Sequence, residues 1–180
     1  ELYSLNRISA PISLEGGQSF TIGNEYSIYD KNNNNNELFA FNLATMFRDE
    51  KDKKLPTSST LGKKTSDIIG EVKLKTNKFV EFSYDFSLDN DLETINYNLI
   101  DTTFSINNFV TTFEFLEQNN ALGSKSYLSN ETTLNLNSNN SFSFKTRQNK
   151  EKDLTEYYNL IYEYKNDCLI AAIEYQKNYY

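Results

Sequence analysis

Histidine is absent from this chain, cysteine occurs once at Cys168, and there are only two prolines and six glycines. Without His, the commonest zinc ligand and the usual general base of a nucleophilic triad are missing, so any catalysis would have to rest on carboxylates. A single Cys closes no internal disulfide. No apolar run reaches the roughly 18 to 20 residues that a membrane-spanning helix requires. That excludes a helical membrane protein but not membrane strands, whose alternation averages out polar. Nor is there a basic stripe: 25 Asp and Glu against 18 Lys and Arg give a formal charge of -7 and argue against nucleic-acid partners. No positively charged apolar leader opens the chain, so an export signal is expected upstream and removed. Residues 1–180 are read as a single unit, a piece of a larger mature protein.

What is present favours strands. Thirteen Tyr and thirteen Phe accompany abundant Thr and Ser, a composition with high β propensity. Phe82, Tyr84, Phe86 and Leu88 alternate with Glu81, Ser83, Asp85 and Ser87, a period of two with one apolar and one wet face. The same test picks out Phe39, Phe41, Leu43 and Phe47; Phe109, Phe113 and Phe115 against Thr112 and Glu114; and Phe142 and Phe144 against Ser141, Ser143 and Lys145. Two further runs, Tyr158 to Tyr164 and Leu169 to Tyr175, alternate less cleanly. Clusters of Asn, Asp, Ser and Gly punctuate these runs at Asp30 to Asn36, Thr76 to Lys78, Asp89 to Asp91, Ser105 to Asn108, Ser138 to Asn140 and Lys165 to Asp167.

About ten strands result, in an all-β, antiparallel up-and-down meander. Longer polar connections are expected from Asp49 to Ser66, from Gln118 to Asn130 and from Gln148 to Asp153, each after an even-numbered strand. Long loops collected at one end, with Tyr near strand ends and carboxylates on the wet face, lead us to expect the C-terminal portion of a large transmembrane outer-membrane β-barrel, one that this chain alone does not close. Phe82, Tyr84, Phe86, Leu88, Phe109, Phe113, Phe115, Phe142 and Phe144 would then face lipid, and Glu81, Ser83, Asp85, Ser87 and Glu114 the lumen.

The stretch Leu2 to Ser9, the Gly16-Gly17 pair and a strand ending in Tyr29-Asp30 open a series of motifs. It continues with Ser66-Asp67-Ile68-Ile69-Gly70 and the run Phe79 to Asp91, and ends with Tyr164-Lys165-Asn166-Asp167-Cys168 before a last strand. In order and spacing this resembles the C-terminal barrel region of the LptD, or organic-solvent-tolerance, family of LPS-assembly proteins. The chain departs from that family at Ala10 to Glu15, where members commonly carry Gly-x-Asp-Arg, and at Cys168-Leu169, where many have adjacent cysteines. The resemblance implies a non-enzymatic translocon in the bacterial outer membrane, needing no cofactor. It would take lipopolysaccharide from periplasmic bridge proteins, carry an LptE-like plug lipoprotein, and insert lipopolysaccharide into the outer leaflet. It also implies a disulfide from Cys168 to an upstream periplasmic domain, against the plainer reading of a half-buried strand residue. The alternatives are a smaller self-contained porin or adhesin barrel, and a soluble β-sandwich binding domain.

Four smaller constellations have two readings each. Asp89-Asn90-Asp91 supplies oxygen ligands for calcium, yet lacks the glycine and distal glutamate of a calcium loop, so a hairpin turn is expected. Glu81, Asp85 and Glu114 are read as wet-face charges rather than an acid and base pair. Glu15-Gly16-Gly17 marks a kink or a close backbone approach. Lys53, Lys54, Lys63 and Lys64 form either a solvated loop face or a contact for anionic headgroups.

Overall fold

The computed structural model describes residues 15–31, 36–56, 59–76, 79–120 and 123–179. The Leu2 to Ser9 motif, the Asn32 to Asn35 part of the first turn, and Asn77-Lys78 of the second lie outside them.

Ten strands follow one another: β1 (Ser19–Asp30), β2 (Asn36–Arg48), β3 (Ile68–Thr76), β4 (Val80–Leu88), β5 (Ile95–Ile106), β6 (Phe109–Asn120), β7 (Gly123–Asn135), β8 (Asn140–Asn149), β9 (Leu154–Lys165) and β10 (Ile170–Asn178). Each is hydrogen-bonded to its neighbours in sequence, in the order β1 through β10, as the turn-punctuated pattern predicts. One short 3-10 turn, Thr60–Gly62, lies in the β2–β3 connection.

Asparagine makes the tight turns by accepting from the amides that leave the ladder. Asn137 Oδ1 accepts from Asn139 N–H at 2.9 Å in the β7–β8 turn. Asn149 Oδ1 accepts from the amides of Glu151 and Lys152 after β8, and Asn166 Oδ1 from those of Cys168 and Leu169 after β9. This is the Asx-turn chemistry that makes Asn a turn residue. Asn107, between β5 and β6, takes φ 52°, a left-handed conformation that Asn tolerates better than most residues.

The described residues divide between two compact units. One comprises those within Glu1–Lys73, Asp85–Asn98 and Gln118–Ser124; the other those within Leu74–Tyr84, Leu99–Glu117 and Lys125–Tyr180. In the first, β2 buries Ala40, Ala44 and Met46 on one side, with Met46 fully covered, while Phe47 on the other side stays exposed. In the second, little is deeply buried apart from Thr111 and Asn149.

Two expectations are corrected. The transmembrane barrel is not formed: the ten strands make an open sheet in which β1 and β10 are its two ends and do not neighbour each other. A nearest-neighbour meander closes only through a last-to-first ladder, and β10 is exposed along its whole length. The apparent grouping of long loops also fails. Gln118 to Asn130, expected as a polar connection, is strand at every described residue, with β6 running to Asn120 and β7 starting at Gly123. Its Asn, Ser and Lys residues lower strand propensity but do not prevent ladder pairing, so a polar stretch here is strand rather than loop. Asp49 to Ser66 alone among the described connections is long.

Candidate functional site

Register fixes which side chains share a face from β7 to β10. Leu134 opposes Phe142, Phe142 opposes Tyr162, and Tyr162 opposes Ile173, giving one apolar row across four strands. The next row runs Thr132, Phe144, Leu160 and Tyr175, and the next Asn130, Thr146, Tyr158 and Lys177. Directly opposed side chains on one face are the contacts that stabilise a sheet. Phe144 stacks on Tyr158 at 6.1 Å between ring centroids, and Tyr158 meets Tyr179 edge-on at 5.8 Å. Lys177 lies over the Tyr179 ring at 4.9 Å and closes that end of the face with a cation. Phe142, Leu160, Tyr162, Ile173 and Tyr175 are all exposed, Ile173 to 74%.

The opposite face is hydrogen-bonded and ion-paired. Thr133 and Ser143 hydroxyls are 2.9 Å apart, Lys145 Nζ is 2.8 Å from Glu131 Oε1, and Asn159 Nδ2 donates to Glu174 Oε1 at 2.6 Å. Arg147 pairs with Glu156 at 2.7 Å and lies over the rings of Tyr127 and Tyr157. Partial burial works against the charged form of Glu156, but hydrogen bonds from Asn149 and Arg147 outweigh it and hold the carboxyl below its usual range. Alternation therefore yields one face that is mostly apolar and uncovered and one that is mostly polar and hydrogen-bonded, with Ile161 set among its polar residues.

The β1–β2 hairpin repeats the pattern. Phe20 opposes Phe47, Ile22 opposes Thr45 and Tyr26 opposes Phe41. Phe20, Ile22, Tyr26 and Ile28 are exposed. At its end, Arg48 organises the Asp49 to Ser66 loop. Its Nη2 meets Glu15 Oε1 at 2.5 Å with both side chains buried, its Nη1 donates to the Gly16 carbonyl, and its Nε donates to the Leu61 carbonyl at 3.2 Å. Gly16 N–H donates to Asp52 Oδ2 at 3.1 Å. Hydrogen bonds from the amides of Lys54 and Gly16 hold the Asp52 carboxyl below its usual range. Gly17, at φ 78°, supplies the left-handed turn this approach needs. The Glu15-Gly16-Gly17 stretch is thus a close backbone approach.

The Ser66-Asp67-x-x-Gly70 motif is structural. Ser66 Oγ accepts from Met46 N–H at 2.9 Å, and buried Asp67 accepts from Ser87 Oγ at 3.1 Å and Asn96 Nδ2 at 2.8 Å. Of the expected wet-face residues, Ser87 therefore serves Asp67. Glu81 pairs with Lys75, Ser83 and Asp85 are half-buried, and Glu114 faces Asp101, whose carboxyl is raised by burial and by that neighbouring charge. Asp101 and Arg48 carry no sequence signal as singular residues, because each lies in an otherwise ordinary strand pattern. Of the expected apolar-face residues, Phe109, Phe113 and Phe142 are exposed, while Phe82, Tyr84, Phe86, Leu88, Phe115 and Phe144 are half-buried. Asp89 to Asp91 is a turn: Asp89 N–H donates to Thr94 O at 2.9 Å and Leu92 takes φ 61°. Cys168 is a free, exposed thiol in the β9–β10 turn.

Among the described residues no three His, Cys, Asp or Glu side chains assemble a metal site, and no helix is long and apolar enough to cross a membrane. No curated protein matches the chain closely. Residues 1–122 match the family described as LptD, LPS transport system D. That match covers about two thirds of the sequence, so the chain belongs to the LptD family.

Proposed function

We propose that this chain is a binding sheet of the lipopolysaccharide-transport machinery, receiving the acyl chains of an amphiphile on its uncovered apolar face while its ion-paired face stays in water. Membership of a transport family makes it an outer-membrane-associated protein and not an enzyme. The open sheet replaces the expected transmembrane barrel segment. The observation that carries the proposal is the row Phe142, Tyr162 and Ile173, opposed across β8, β9 and β10 and left exposed. An uncovered apolar patch backed by a largely polar face marks a surface that meets something apolar.

Within that machinery the amphiphile is lipopolysaccharide, and the LptE-like lipoprotein and periplasmic bridge proteins are the neighbours this sheet works beside. Phe82, Tyr84, Phe86, Leu88, Phe109, Phe113, Phe115 and Phe144 are further acyl-facing residues, and Glu81, Ser83, Asp85, Ser87 and Glu114 water-facing ones. Cys168 offers its thiol to a cysteine outside this chain.

The test is equilibrium binding of purified lipopolysaccharide to the full chain and to two variants. Tyr162→Glu/Ile173→Glu removes two large apolar contacts worth about 1.5–3 kcal/mol each, and is expected to weaken binding at least about tenfold. Ala172→Glu, on the opposite face, is expected to leave it unchanged. Equal effects of the two variants would refute the proposal.

A further inference from the structure

Among the described residues β10 pairs with β9 alone, so one of its two edges has no ladder partner. The bonds at the two ends of the β9–β10 ladder fix which residues face that edge. The Leu169 carbonyl accepts from Asn166 N–H at 2.9 Å, and Tyr179 N–H donates to the Glu156 carbonyl at 2.8 Å. The register between them is unbroken, and backbone groups alternate in direction along an antiparallel strand. Odd-numbered residues of β10 therefore turn toward β9, and Ile170, Ala172, Glu174, Gln176 and Asn178 turn their N–H and C=O groups outward.

The usual protections of an edge are missing here. No bulge interrupts the ladder from Ile170 to Asn178, the strand holds no proline, and its one lysine, Lys177, lies near its end. All nine residues are exposed. An edge of this kind is a template for a further strand.

The sequence of β10 is complementary to itself. Two copies related by a two-fold axis normal to the sheet pair antiparallel and keep like faces on the same side. Centred on Ile173, that pairing opposes Ile173 to its counterpart, Ala171 to Tyr175 and Leu169 to Lys177 on one face, and Ala172 to Glu174 and Ile170 to Gln176 on the other. No two like charges are opposed, and Lys177 of each copy lies across from a residue two positions after Asp167 of the other. A pairing centred on Glu174 would set two carboxylates directly against each other, which is destabilising across strands, and one centred on Tyr175 would set Lys177 against Ile173. The Ile173 register also carries the exposed row Phe142, Tyr162 and Ile173 into the same row of the second copy.

We propose that β10 is a self-association edge: two copies of this chain join antiparallel through β10, centred on Ile173. The outward amides and carbonyls of Ile170, Ala172, Glu174 and Gln176 supply the hydrogen bonds, and the apolar and polar faces each continue across the pair. The pairing uses backbone groups and is independent of what the apolar face binds.

Sedimentation velocity of the full chain over a concentration series is expected to show a monomer–dimer equilibrium. Glu174→Pro removes an outward amide from each copy and leaves the β9 ladder its donors. Two hydrogen bonds are lost per dimer, so the dissociation constant is expected to rise by about tenfold or more. Because a proline can also unsettle a strand, cysteine pairing reads the register separately. In a Cys168→Ser background, Ile173→Cys sets two thiols directly opposite each other, within the span a disulfide bridges, and is expected to give a covalent dimer on mild oxidation. Tyr175→Cys lies on the same face without opposing itself and is expected to give none. A chain that stays monomeric at every concentration overturns the proposal, as it would if another strand occupied that edge. So does a dimer that Glu174→Pro leaves unchanged, or one that cross-links through Tyr175→Cys or Glu174→Cys in place of Ile173→Cys.

Discussion

The ring of Phe86 on β4 lies over Gly70 on β3, in the space that a Cβ at position 70 would occupy. Aromatic cover of a strand glycine is a recognised device for pinning register, and here it explains why the Ser66-Asp67-x-x-Gly70 motif ends in Gly. Gly70→Ala is expected to displace the ring and destabilise the sheet by about 1–3 kcal/mol, as overpacking does. Gly70→Ala/Phe86→Leu should recover part of that loss. Urea denaturation followed by far-UV circular dichroism checks both; an unshifted midpoint for Gly70→Ala would show that the ring does not hold the register.

Arg48 and Glu15 form a buried pair 33 residues apart in sequence, with side chains 1% and 8% exposed. Removing one partner leaves the other charge uncompensated, so Arg48→Met is expected to cost about 3–5 kcal/mol. Replacing both, in Arg48→Met/Glu15→Leu, should restore much of it, since an apolar pair carries no desolvation cost. Because Arg48 also holds the Leu61 carbonyl, amide exchange in the 49–62 loop should accelerate first.

Asp101 lies in β5 with its carboxyl raised by burial and by Glu114. A group whose folded pKa lies above its unfolded value favours the fold while protonated, and that contribution is lost as pH rises through the folded pKa. Asp101→Asn is therefore expected to raise Tm at neutral pH and to match wild type once pH falls below the carboxylate range. Glu71 has the opposite sign. Its carboxyl is lowered by the Lys73 hydrogen bond, with further help from Asn42 against partial burial, so its contribution is present at neutral pH and is lost as pH falls through its folded pKa. Glu71→Gln should lower Tm at neutral pH, with the difference vanishing in acid. A melting series across pH for both variants gives the two signs independently.

Cys168 is exposed in a turn that Asn166 already satisfies. Cys168→Ser is expected to change the stability of this chain by no more than about 0.5 kcal/mol, the usual range for a surface site. Maleimide labelling of the folded chain should be complete, and slow labelling without denaturant would place the thiol elsewhere.

Much of the strand pattern was legible because period-two alternation leaves a direct trace: Phe82 to Leu88 falls within β4, and Phe142 with Phe144 within β8. Turns were legible where Asn acts on its own neighbours, as at Asn166. Two things were not. The polar strands around Gln118 to Asn130 owe their structure to ladder partners, which composition does not record. The Arg48–Glu15 pair and the Asp67 contacts join residues 20 to 33 positions apart, and depend on register rather than local pattern. That the strands form part of a transmembrane barrel was an expectation from loop lengths and family resemblance, and neither records strand pairing.

In the proposed function one face of this sheet meets acyl chains and the other meets water. Photo-crosslinking side chains introduced singly at adjacent positions of β9 and β10, in the presence of lipopolysaccharide, test it most directly. Capture of lipopolysaccharide from positions 160, 162 and 173, with none from 161, 163 and 172, is the predicted result; capture from both sets alike, or from the second set alone, would contradict the account.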